Sequence, residues 1–176
     1  MSNLPDMESD SIFEDMATKM LTTMVTVEKL KRDAEKAFNE RDYQISIAKL
    51  KEASAIVEVQ PGTAARIELA SILLPMTTVY RSVGDTNECE TLYKRIIGLC
   101  TQPIEPSEKA KFGNTQVDSF MEQMMPGMED MLVEAHYTTT INILSICGEN
   151  YHKLLIENGR NNEATALKEQ LRSYLE

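Results

Sequence analysis

Leu30-Lys-Arg-Asp-Ala-Glu-Lys-Ala-Phe-Asn-Glu-Arg-Asp-Tyr-Gln-Ile-Ser-Ile-Ala-Lys-Leu-Lys-Glu-Ala53 is the stretch whose reading decides the fold. Before its midpoint, Leu30 continues an apolar row formed by Ile12, Met16, Met20, Met24 and Val27, at helical steps of three or four. After it, Ile47, Leu50, Ala53, Ile56 and Val57 make a second row of the same period. Only Asn39-Glu-Arg-Asp-Tyr43 separates them. Two helices joined by so short a turn lie antiparallel. The stretch therefore predicts a helical hairpin.

Similar junctions recur at Arg81-Ser-Val-Gly-Asp85 and Glu157-Asn-Gly-Arg160. Working outward, the first helix is predicted from Ser11 to about Arg41, because no Gly or Pro interrupts it. The second runs from Tyr43 to Val59 and stops at Pro61-Gly62, and the third spans Thr63 to Val83. Pro75 lies inside that third pattern, where its missing N–H predicts a kink near Leu74 or two shorter helices. Gly84-Asp85 pairs a stop with an N-cap, and Thr86 to Leu99 follows. An irregular linker is expected near 100–116, with a brief helix from Glu108 that Gly113-Asn114 breaks. Val117 to Met125 reads as a short helix before Pro126-Gly127. A long helix from Met128 continues through Gly148 to Asn158, and Asn161 or Asn162 is expected to cap the last, Glu163 to Leu175. No strand alternation of useful length occurs. The fold class is all-α, antiparallel hairpins in a bundle or solenoid of six to eight helices.

Composition narrows the functional classes. The chain has 176 residues with 28 acidic and 18 basic side chains, a net charge of −10. Phosphate backbones and anionic membranes are bound by concentrated Lys and Arg, so neither is an expected partner. No run of apolar residues approaches the 18 or so that a membrane helix needs. Residues 1–10 are acidic and lack the apolar core of a signal peptide, and they read as a disordered leader to one domain spanning 11–176. Cys89, Cys100 and Cys147 are odd in number and show no C-x-x-C spacing, which fits reduced thiols. The expected address is the cytoplasm, or the nucleus.

The repeated junctions carry a resemblance. Leu30, Ala34, Tyr43, Ser46, Leu50 and Ala53 fall on the pattern of the tetratricopeptide repeat, with Pro61 a few residues late. A second unit matches at Leu73, Thr77, Tyr80, Gly84, Asp85, Cys89 and Tyr93, with Ile96 where the family usually has Ala. A third runs through Gly159, Ala164 and Leu171, although Gly148 and Tyr151 fit only if the first helix of that unit is one turn longer. Asp42 to Asp85 is 43 residues and Asp85 to Arg160 is 75, against a family period of 34. The chain thus resembles a degenerate member of the family. That resemblance implies stacked hairpins and a protein-binding surface. Some family members clamp the acidic tails of heat-shock chaperones. Lys31 matches that clamp, but Glu35 and Pro75 stand where the family has Asn, and a carboxylate there repels the ligand.

No catalytic, cofactor or metal site is expected. Glu149-Asn-Tyr-His152 has the E-x-x-H spacing of half a di-iron site, but its second half is missing, since His136 has Val133 in the matching position. Lys29, Lys31, Arg32 and Lys36 interleave with Glu28, Asp33, Glu35 and Glu40 as a solvated face. The eleven methionines are more informative. Met16, Met20 and Met24 form one group, and Met121, Met124, Met125, Met128 and Met131 a second. Thioethers fill gaps in cores and also make adaptable binding surfaces. Glu122, Glu129, Asp130 and Glu134 surround the second group, and no Lys or Arg occurs between Lys111 and Lys153. An apolar patch ringed by carboxylates suits a basic or amphipathic helix or peptide. The expected function is a non-enzymatic adaptor or scaffold with this surface as its partner site. A constitutive subunit of a larger assembly is the alternative, and an enzyme assembled from distant residues comes third.

Overall fold

The three junctions fold into one and the same turn. In the computed structural model, which describes residues 7–104 and 128–175 and the side chains of 18–104 and 130–175, Arg41, Gly84 and Gly159 have φ of 63°, 80° and 74°. Their amides donate to the carbonyls of Phe38, Arg81 and Ile156. The next amides, of Asp42, Asp85 and Arg160, reach back to Ala37, Tyr80 and Leu155 at 2.8, 3.0 and 2.9 Å. This paired closure satisfies the last carbonyls of one helix. The carbonyls of Asp42, Asp85 and Arg160 then accept from Ser46, Cys89 and Ala164, opening the next helix. Those three small residues are almost wholly buried. Their size lets the paired helices approach closely.

The elements are α1 (Met7–Asn39), α2 (Tyr43–Glu58), α3 (Thr63–Val83), α4 (Thr86–Cys100), α5 (Met128–Glu157) and α6 (Asn161–Leu175). Each packs on the next in the chain, and α5 also packs on α3. The result, among the described residues, is three stacked hairpins that share one buried cluster from Val27 to Leu171. Asp42 and Asp85 cap α2 and α4 by accepting from the amides of Ile45 and Glu88. At α6 the expected asparagine cap is replaced. Asn161 is already helical, and Arg160, in the cap position, directs its side chain to Glu163 and Glu90 instead.

Ion pairs tie each hairpin to the one after it. Lys31 of α1 reaches Glu68 of α3 at 3.1 Å, Glu58 of α2 pairs with Arg95 of α4, and Arg81 of α3 grips Glu157 of α5 at 2.6 Å. Lys31 is therefore engaged as well as solvated, since it also holds Glu28. The Tyr93 and Tyr151 rings stack at 5.5 Å between α4 and α5, and the Cys147 thiol donates to the Tyr93 carbonyl. Later residues of α4 meet earlier residues of α5, so these helices are antiparallel. It follows that α1, α3 and α5 run parallel.

Two local expectations change. α3 is a single helix through Pro75, which excludes the two shorter helices that were the alternative to a kink. Pro75 is exposed while Ile72, Leu73, Met76 and Thr77 are buried around it, and that burial offsets the roughly 3 kcal/mol an interior proline costs. α1 begins at Met7, inside the stretch read as a leader. The expected helices within 105–127 lie outside the described residues.

The shared turn makes a test. Only Arg41 puts a side chain at the left-handed position, and only Ser46 puts a buried hydroxyl without a partner at the small-residue position. Arg41→Gly should stabilise the protein by about 0.5 kcal/mol and Ser46→Ala by about 1 kcal/mol. Gly84→Ala, where space is open but φ is 80°, should destabilise it by about 1 kcal/mol. Thermal melts in which the three changes share one sign would show that the turns are not equivalent.

Candidate functional site

The length of α5 exposes the surface singled out by sequence. Its 30 residues span about 45 Å at 1.5 Å per residue, while α6 has 15. Among the described side chains of α5 the first buried one is Thr140. Its first turns carry Met131, 72% exposed, with Leu132 and Tyr137 also open to solvent. Asp130 and Glu134 are exposed beside Met131, so these three predicted residues share one stretch. Met128 and Glu129 lie on α5 with side chains outside the described set, and Met121, Glu122, Met124 and Met125 lie outside the described residues.

Met131 and Glu149 are 18 residues apart, five helical turns, and so point the same way. Glu149 borders a groove of about 820 Å³ between α5 and α6, floored by Gly148, Leu167 and Leu171 and flanked by His152 and Ile156. The equivalent side of the preceding hairpin is occupied. Tyr93 and Arg81 there engage α5, whereas Lys168 and Ile156 hold the matching positions here, eight residues after and four before the turn's cap residue. Gly148 brings α5 close to α6 at this crossing: a Cβ on it would stand 2.5 Å from the end of the Leu171 side chain, which would have to shift. In the first hairpin the sizes are exchanged, with Leu30 and Ala53 at these positions.

The first methionine group, read from sequence as core or adaptable surface and left out of the partner site, is open where it is described. Met20, Leu21, Met24 and Val25 are 62–66% exposed, and among the described side chains of α1 the first buried one is Val27. The signal was the mismatch between a first helix of some thirty residues and a second too short to cover it. Met16 lies outside the described side chains.

The buried chemistry is structural. Glu90 receives Arg160, Lys94 and the Tyr151 hydroxyl, and this closes α4 over the α5–α6 turn. Arg160 first and Lys94 second hold its carboxyl down at about 2, against the opposing effect of burial. Burial pushes the Cys147 thiol up to about 12 and Cys100 to about 11, and raises Cys89. Such thiols are poor nucleophiles at neutral pH. Among the described residues no three of His, Cys, Asp and Glu are grouped to hold a metal ion, and no helix is long and apolar enough to cross a membrane. Comparison with models of known families and with curated proteins finds no match.

Two measurements follow. Glu90 is ionised in the folded state down to about pH 2 but titrates near 4.3 when unfolded, so its contribution is complete above that value and lost as pH falls towards 2. Glu90→Gln should lower stability by about 2 kcal/mol at pH 7, and the gap to wild type should close between pH 4.5 and 2. A constant gap would place the stabilisation elsewhere. Native protein treated with an aromatic disulfide reagent should expose no thiol within minutes and all three in denaturant; rapid native labelling would contradict the burial of Cys89, Cys100 and Cys147.

Proposed function

We propose that this chain is a non-enzymatic adaptor or scaffold of tetratricopeptide-like hairpins that holds a helix or extended segment of a partner protein on an apolar, acid-rimmed surface. The surface centres on Met131 with Asp130 and Glu134, and takes in Met121, Glu122, Met124, Met125, Met128 and Glu129 by their sequence neighbourhood. The observation that carries this reading is that the start of α5 is helical while Met131 and Leu132 remain open. Exposed apolar side chains on a regular element suit an interface. The carboxylates around them favour a basic or amphipathic partner and speed its association. Buried, unpaired cysteines suit a reducing compartment, the cytoplasm or nucleus.

A constitutive subunit is the second reading, favoured by the α5–α6 groove. In a stack of hairpins such a groove is where the next helix packs, and Leu167 and Leu171 keep its floor apolar.

Affinity capture with the full chain decides between wild type, Met128→Glu and Met131→Glu. A shared set of proteins should be lost from both variants, and its association with wild type should slow as salt rises from 0.05 to 0.5 M. Identical partners for all three would show that this surface is not the binding site. Aggregation of the isolated chain, relieved by a co-expressed protein, would favour the subunit reading.

A further inference from the structure

The turn between α5 and α6 contains a reactive pair. Asn158-Gly159 is the one place in the sequence where glycine follows asparagine. An asparagine side-chain amide is open to attack by the backbone nitrogen of the next residue, and glycine, without a Cβ, leaves that nitrogen least shielded. In this reaction the Gly159 nitrogen gives up its proton and bonds to Cγ of Asn158. The Cγ–Nδ2 bond breaks, and ammonia leaves with the proton. Water then opens the cyclic imide on one side or the other. One product is aspartate; the other is isoaspartate, in which the main chain runs through the former side chain.

The folded turn engages both reacting groups elsewhere. The Gly159 amide donates to the Ile156 carbonyl at 2.9 Å, and the Asn158 side-chain amide donates to the Leu154 carbonyl at 2.8 Å. The Asn158 backbone amide reaches the same carbonyl at 3.1 Å, so the residue is still held by the last turn of α5. Attack requires the Gly159 nitrogen to leave its acceptor and the Asn158 side chain to swing onto it. Neither movement is open while these bonds hold. Asn158 and Gly159 are both exposed, so water reaches them freely. Hydrogen bonding, not burial, is what holds the reaction back.

Residues on either side fasten the pair to the rest of the stack. Before it, Glu157 grips Arg81 of α3 at 2.6 Å. After it, the Arg160 amide donates to Leu155 at 2.9 Å, and the Arg160 side chain joins Glu90 of α4 and Glu163 of α6. Opening the turn therefore means releasing contacts to α3 and α4.

Neither product fits the closed turn. Aspartate at 158 loses the donor to Leu154 and sets a carboxylate at the C-terminal end of α5, where the helix dipole opposes it. Isoaspartate adds one main-chain atom before Gly159, which moves the amides of Gly159 and Arg160 off the carbonyls of Ile156 and Leu155. We propose that Asn158 is a spontaneous deamidation site gated by the third turn: held back in the folded chain, reacting when that turn opens, and giving products that keep it from closing as before. Water is the sole co-reactant. The site makes a one-way record of opening at the α5–α6 hairpin, whatever the protein binds.

The test ages the full chain in warm, mildly alkaline buffer, folded and in urea. Trypsin cleavage after Lys153 and Arg160 then releases residues 154–160, whose mass and elution distinguish asparagine, aspartate and isoaspartate. Reaction at Asn158 should be at least about tenfold slower in the folded chain, because only its open fraction reacts. Glu90→Gln, which releases Arg160, and Arg81→Gln, which releases Glu157, should each speed the folded-chain reaction and leave the rate in urea unchanged; circular dichroism identifies which variants are folded and so count. Equal rates folded and in urea, or a folded-chain rate that neither change raises, overturns the gate. Asn158→Asp should lower the melting temperature by about 2–4 °C at neutral pH. An unchanged melt would show that the product closes the turn as well as the original residue does, which also overturns the proposal.

Discussion

A left-handed residue followed by a capping carbonyl closes each hairpin, and the rest of the structure depends on that turn. It satisfies the carbonyls that end one helix and begins the next within two residues, so the second helix has no choice but to return along the first. Four residues later a small side chain, Ser46, Cys89 or Ala164, sits at the crossing. A larger residue there would push the helices apart and open the core cluster that runs through all three hairpins. Arg41 shows that the geometry outranks residue preference. Its φ of 63° carries a cost that glycine avoids at the other two turns, and the packing of Leu30, Ala34, Leu50 and Ala53 imposes it.

Between hairpins the same logic passes to side chains. Lys31 with Glu68, Glu58 with Arg95 and Arg81 with Glu157 each join helices two apart in the chain. Exposed ion pairs contribute little stability. What they do is fix register: each pairing selects one sliding position of neighbouring hairpins over others that bury similar apolar area. Glu90 is the deeper case. Its carboxylate gathers Arg160, Lys94 and Tyr151, so the turn of the third hairpin is held to α4 by a charge that needs all its partners.

Helix ends were legible to within a residue wherever a stop was local. Tyr43–Glu58, Thr63–Val83 and Thr86–Cys100 follow from Pro61-Gly62, Gly84-Asp85 and the apolar rows, which are short-range signals. At Pro75 the two-helix alternative fails because the local cost of proline is visible in sequence while the tertiary burial of Ile72, Leu73 and Met76 is not. The candidate surface was half legible. The acidic surroundings of Met131 are composition, readable directly, but its exposure depends on where α6 ends, and the exposure of Met20 and Met24 depends on how far α2 reaches. A row of methionines four residues apart looks the same whether a partner helix covers it or stops short. Comparing predicted helix lengths, not residue types, separates the two.

That comparison also explains why the exposed helix ends and the stability of the core can be independent in this molecule. The extensions of α1 and α5 lie beyond Val27 and Thr140, where the shared core begins. Substitutions of the exposed residues there remove little packed area and leave the hairpins as firm as before. In a stack where each helix contacts only near neighbours, stability is a sum of local terms. An overhanging helix end adds almost nothing to that sum until something packs against it. Under the proposed adaptor function, a segment packed on the exposed apolar rows of α1 and α5 would add its stabilisation there and leave the core between Val27 and Leu171 as it is.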